Sequence, residues 1–232
     1  MGYMAYYLMP ILLAYATQNP AAVVLAGIIW LCRDFLPDPA VWLRTMGRIR
    51  KLKTDIDLNP SNLAACRDLA RIYLERKRPK KAIALLEQTR ERMARSPRHP
   101  LGTRDDAELL FYLGLARFRS GDAEGALAPL VEAVAIAPDI GRGEPYMVAA
   151  DALARLGRWE HAESSLECFL EHNQSSVEVY VKLARVRSKR NDATGTKAAI
   201  REAKTTWRVL PGFKQREQFR WFLAAFVAAI WV

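Results

Sequence analysis

Three histidines and three cysteines are the residues whose side chains could serve as bases, nucleophiles or metal ligands near neutral pH. Their spacing does not favour it. Cys32, Cys66 and Cys168 lie far apart in apolar stretches, with no second Cys or His at ligand spacing, so neither a zinc site nor a disulfide framework is expected. They read as reduced, buried thiols. His99 falls in a proline-containing loop, while His161 and His172 fall near helix ends, where a histidine is solvated or caps a helix. No dinucleotide fingerprint, zinc-protease motif, nucleophile elbow or paired-cysteine motif occurs, and Gly195-Thr196-Lys197 lacks the upstream glycine of a phosphate loop. The sequence therefore predicts no catalytic residue, no metal and no cofactor, and a protein that works by binding.

Charge says where that binding domain lies. The net charge is +10, yet no Asp, Glu, Lys or Arg precedes Arg33 and none follows Arg220. Residues 33–53 carry six Lys/Arg against two Asp, and residues 204–220 carry five against one Glu, so these two stretches hold +8 of the total. The middle of the chain is close to neutral. The basic character belongs to the borders of two apolar ends and not to the domain between them.

That middle is periodic. From Ala107, residues Leu110, Leu113, Gly114, Gly121, Ala126, Leu130, Ala133 and Pro138 stand at positions 4, 7, 8, 15, 20, 24, 27 and 32 of a 34-residue unit. A unit from Gly143 repeats the pattern with Tyr146, Ala149, Ala150, Gly157, Ala162, Leu166 and Phe169. Another from Val177 does so with Tyr180, Leu183, Ala184, Ile200 and Ala203, with Asn191 and Thr196 at positions 15 and 20. An earlier unit from Leu63 has Leu69, Ala70, Tyr73, Ala82 and Leu86. Start-to-start spacings of 44, 36 and 34 place a loop insertion around Arg95–Arg104. Positions 8 and 20 are small because two antiparallel helices cross there, which predicts close contact at Ala70/Ala82, Gly114/Ala126, Ala150/Ala162 and Ala184/Thr196.

This register resembles the tetratricopeptide repeat (TPR) family, and the layout resembles membrane-anchored bacterial TPR proteins. Some of those carry a C-terminal metal-binding domain with paired Cys motifs, which this chain lacks. The expected fold is all-α, a right-handed solenoid of about four helix-turn-helix repeats over residues 61–211, with helix pairs at about 63–95, 105–138, 143–173 and 177–208.

Residues 1–36 and 212–232 are the apolar ends. In the first, two runs separated by Thr17-Gln18-Asn19-Pro20 fit either a hairpin in one leaflet or a single span kinked at Pro20. Residues 37–60 read as a basic amphipathic helix, as a half-repeat capping the stack, or as both. The last twelve residues are too few to span a bilayer and fit an in-plane anchor. Trp30, Trp42, Trp221, Phe222, Phe226 and Trp231 are the expected lipid contacts, with the repeat domain on the cytoplasmic side. The competing reading makes the ends packing caps of a soluble assembly subunit.

The resemblance implies a concave groove lined from the first helix of each repeat. Its offsets select Arg67 and Arg71, then Phe111, Tyr112, Leu115, Phe118 and Arg119, then Met147, Val148 and Arg155, then Lys182, Arg185 and Lys189. An aromatic centre flanked by cations suits a protein segment with apolar anchors and acidic residues. The expected function is a membrane-tethered adaptor that holds a partner protein. A basic nucleic-acid-binding repeat protein is the alternative, disfavoured because the cations border the ends.

Overall fold

The computed structural model describes residues 39–95 and 100–231, the side chains of 39, 40, 42 and 228–231 excepted. The expected N-terminal membrane segment with Trp30, and His99 in the inserted loop, lie outside the described residues, as do the side chains of Trp42 and Trp231. The chain divides after Arg48, and Ile49–Val232 form one compact unit. Among the described residues there are ten α-helices and no strand.

Helix α1 (Pro39–Leu58) begins in the first unit, where Thr45 Oγ1 donates to the Val41 carbonyl at 2.6 Å and Leu43 and Met46 are exposed. In the second unit Ile49, Leu52 and Ile56 turn inward against Ala65, Cys66 and Leu69. Asn59-Pro60 stops the helix, since proline offers no N–H to continue it. Four helix pairs follow: α2 (Leu63–Glu75) with α3 (Pro79–Ala94), α4 (Arg104–Ser120) with α5 (Ala123–Ile136), α6 (Glu144–Arg155) with α7 (Trp159–His172), and α8 (Val177–Lys189) with α9 (Ala193–Val209). These match the expected pairs to within two residues at each end. All eight predicted crossing residues, from Ala70 to Thr196, are buried.

The turn inside each pair has one recurring device. Position 15 is Lys77, Gly121, Gly157 and Asn191 in the four repeats, and each has positive φ, at 55°, 99°, 75° and 60°. Glycine and asparagine tolerate that region, which is why they recur there. At the next position Asp122 and Asp192 accept from the amides of Gly125 and Gly195, at 2.8 and 2.9 Å, and so cap α5 and α9. Spacing of 36 between the second and third repeats needs two extra residues. A 3₁₀ turn, Ile140–Gly143, absorbs them with Gly141, Arg142 and Gly143 all left-handed.

Neighbouring repeats are laced by arginines. Position 11 is Arg117 in the second repeat and Arg187 in the fourth, and they pair back to Glu87 at 2.8 Å and Glu167 at 3.1 Å on the preceding repeats. Pro129 sits inside α5 and cannot donate to the Gly125 carbonyl. Arg117 supplies the missing donor at 3.1 Å. Asp106, fully buried, receives Arg90 at 2.8 Å and the Gly102 amide at 2.9 Å, which fixes the start of α4 to α3.

Helix α10 (Gly212–Trp231) closes the stack. Gln218 accepts from the Val177 amide at 2.7 Å, Ala225 is buried with Val177, Ala203 and Leu210, and Trp207 stacks on Phe222 at 4.6 Å. Among the described residues no helix is long and apolar enough to cross a membrane.

Candidate partner-binding cleft

Helices α6 and α8 are joined by one lysine. Lys182 Nζ lies 2.7 Å from Asp151 of α6 and 2.8 Å from Glu178 of its own helix, with its side chain only 16% exposed. One buried-side cation thereby neutralises two carboxylates. Beside this bridge opens a cleft of about 550 Å³. Ala150 and Ala154 form one wall, Val181 and Val186 the other, and Leu166 and Trp159 from α7 close it below. Small residues on α6 leave the space that larger ones would fill.

Aromatic rings stand at both ends. Phe118, at the end of α4, carries the Arg155 guanidinium over its ring at 4.2 Å, and Arg155 also donates to the Phe118 carbonyl at 3.4 Å. Trp221 of α10 bounds the opposite end, 5.8 Å below the Lys182 ammonium. With Asp151 and Glu178 satisfied by Lys182, Arg155 and Arg185 remain on the rim without an ion pair among the described residues. The cleft is thus apolar inside and cationic at its mouth.

Four of the expected groove residues meet here: Phe118, Arg155, Lys182 and Arg185. The others do not. Phe111 is a correction, because it is 6% exposed and packs with Leu110, Ala126, Leu130 and Ala149 in the core. Tyr112, 5.1 Å from it, is half-buried, and burial first of all pushes its phenol pKa up. Leu115 and Val148 are partly buried against the same core, Met147 against that of the next repeats. Arg67 bonds Glu108 of α4, and Arg71 lies near Glu75 of its own helix. Arg119 and Lys189 are exposed away from the cleft lining. Sequence reasoning passed over Asp151, Glu178 and Val181, although they stand at offsets 9, 2 and 5, within the set that selected Lys182 and Arg185. Trp159 lies outside those offsets, and nothing in the pattern pointed to it.

The expected lipid contacts need a second correction. Trp221 and Phe222 turn toward the repeats, against the cleft and Trp207, because α10 buries the side that bears Gln218, Trp221 and Ala225. Phe226 stays exposed.

The residues with chemical potential are placed quietly. His161 and Cys168 line an apolar cleft of about 340 Å³ on the opposite side of the stack, between α5 and α7. Burial, then Glu171 and Glu167, push the Cys168 thiol above its ordinary value, the reverse of an activated nucleophile. The hydroxyls of Ser164 and Ser165 are donated to the carbonyls of Glu160 and His161.

Residues 49–99 match the family model described as the tetratricopeptide repeat. The match spans the first helix pair, and the three pairs that follow share its helix-turn-helix form. Solved structures share the architecture: MamA superposes with a TM-score of 0.60 at 18% identity, covering 70% of this chain and 91% of that one. YrrB, described as a TPR protein with an unusual peptide-binding site, superposes with a TM-score of 0.59 at 15% identity, covering 81% and 86%. A double mutant of MamA from RS-1 gives 0.59 at 12% identity, over 73% and 92%. At these identities the likeness concerns the fold. Comparison of the sequence with curated proteins gives no match.

Proposed function

We propose that this TPR protein is an adaptor that holds a segment of a partner protein in the cleft between α6 and α8, with the repeat domain tethered on the cytoplasmic side of a membrane by the apolar ends. One observation carries the binding reading: an apolar cleft, walled by alanines and valines, floored by Trp159 and ended by Phe118 and Trp221, whose acids are internally neutralised while Arg155 and Arg185 are left at its rim. Such a site takes an apolar or aromatic anchor by burial and orients it through neighbouring Asp or Glu. YrrB, described as a TPR protein with a peptide-binding site, is in keeping with this use of the fold.

A peptide array that varies the apolar anchor and its acidic neighbours tests the reading with purified protein. Retained peptides should combine the two features. Phe118→Ala with Trp159→Ala should weaken their binding by about 2 kcal/mol or more. Arg155→Glu with Arg185→Glu should slow association and flatten its salt dependence. If retained peptides show no such preference, or both variants bind as the parent does while folded, the cleft is not the partner site.

A further inference from the structure

The outer side of the last two helices differs from the rest of the molecule. On α9, Lys197, Arg201, Lys204 and Arg208 follow at i, i+4, i+7 and i+11, which is one line along a helix. The first half of α10 adds Lys214, Arg216 and Arg220. Glu202 and Glu217 are the acids of these two helices, and among the described residues none of the seven cations has an ion-pair partner. Arg90, Arg117, Arg187 and Arg190, by contrast, are all paired within the stack. Aligned unpaired cations repel one another, so this face is incomplete without an anionic counterpart.

It is also apolar. Phe213 is 69% exposed, and Phe219, Leu223, Phe226 and Val227 are each about half exposed. The last element of a solenoid ordinarily turns a polar side outward, since nothing stacks on it. Here the inward side of α10 is satisfied by the fourth repeat and the outward side is not. Lys204 Nζ lies 5.9 Å over the Phe226 ring, which joins the cationic line of α9 to the apolar side of α10 in one surface.

We propose that this composite face of α9 and α10 is a docking surface for an anionic lipid bilayer. The inference rests on the tether proposed above and specifies how the C-terminal end engages lipid: α10 lies along the repeats, and its outward Phe, Leu and Val side chains enter the headgroup boundary while the cations of both helices meet acidic headgroups. A nucleic acid would match the cations but not the aliphatic Leu223 and Val227, which offer it no stacking surface. A second copy of the chain would have to present acids, and helices α5 and α7 already spend all their glutamates but Glu171. Glu124, Glu132, Glu160, Glu163 and Glu167 are all paired to arginines.

Co-sedimentation of the full chain with phosphatidylcholine vesicles, and with vesicles containing phosphatidylglycerol as well, reads the surface directly. The parent should partition at least tenfold better onto the anionic vesicles. Each cation near such a surface contributes roughly fivefold, so Arg201→Gln, Lys204→Gln and Arg208→Gln together should remove most of that surplus. Leu223→Ser with Val227→Ser should lower partitioning onto both vesicle types. Lys80→Gln with Lys81→Gln, at the start of α3, should leave it unchanged, and thermal melts should show that all variants fold. If the triple variant keeps the full anionic preference, this face is not the docking surface and the tether rests elsewhere in the chain. If the parent binds neither vesicle type, the tether falls too. Salt-dependent binding of duplex DNA or RNA without vesicle binding would overturn the proposal in favour of nucleic acid.

Discussion

Replacing Gly114 with alanine tests how closely the repeat helices cross. A methyl at Gly114 would stand 2.5 Å from Leu130 Cγ, 2.8 Å from its Cδ2 and 3.1 Å from the Ala126 carbonyl oxygen. Leu130 is 1% exposed and cannot swing aside, and the carbonyl belongs to the backbone of α5. Overpacking of this kind destabilises by about 1–3 kcal/mol. Alanine is favoured over glycine inside a helix by about 1 kcal/mol, which offsets part of it. The net expectation is a loss of up to about 2 kcal/mol, which for a chain of this length lowers Tm by up to roughly 8 °C. Leu130→Ala alone should cost about 2–5 kcal/mol by leaving a cavity. The double variant should be less damaged than the sum of the two, because the methyl of one occupies space vacated by the other. Urea and thermal unfolding of the four proteins measure the cycle. A rise in Tm for Gly114→Ala, or strict additivity with Leu130→Ala, would refute the crossing geometry.

Gly121→Ala separates conformation from contact: an added Cβ meets nothing within 4 Å, yet φ is 99°, so unfolding experiments should show a loss of about 1–2 kcal/mol from backbone strain alone. Burial works to raise the Glu163 carboxyl pKa, but the bonds from Arg187 and Arg190 prevail and hold it below its usual range. Its folded value is lowered, so its stabilisation is present above about pH 4.3 and lost as pH falls through the folded value. Glu163→Gln should destabilise the protein by about 1–3 kcal/mol at neutral pH, and the deficit should shrink in acid, as denaturation midpoints across pH will show. Asp106→Ala leaves the Gly102 amide without its acceptor and Arg90 with Glu132 alone, and should cost about 1–3 kcal/mol; hydrogen exchange should then speed first at the start of α4.

The repeats were legible because steric exclusion leaves a mark in sequence: positions 8 and 20 admit only small side chains where two backbones approach. The side a residue faces was less legible. Phe111 shares the concave offset of Val181, yet Val148 and Ala149 of the next repeat pack over it while Val181 stays open to the cleft. An offset fixes direction on one helix and says nothing of how near the following helix comes. Trp221 and Phe222 misled for a different reason. A charge-free run has the same composition whether protein or lipid covers it, and the stacking of Phe222 on Trp207 joins residues fifteen apart across a chain reversal. Asp106 was hidden because one aspartate at a helix start reads as an ordinary first-turn acid, whereas its burial depends on Arg90 from another repeat.

Pro129 and Arg117 have a consequence for how such a chain can change. In the fourth repeat Ala199 stands where Pro129 does and still has its amide, yet Arg187 already reaches the Gly195 carbonyl at 3.5 Å. The arginine contact therefore does not require the proline. The proline, however, strands a carbonyl unless the arginine is there. Substitutions at the two sites have a permitted order: arginine first, then proline, and the reverse path passes through a molecule with an unsatisfied acceptor inside a helix. Once both are in place the arginine is locked, because losing it costs more than it did before the proline arrived. A contact that was optional in one repeat has become a ratchet in another.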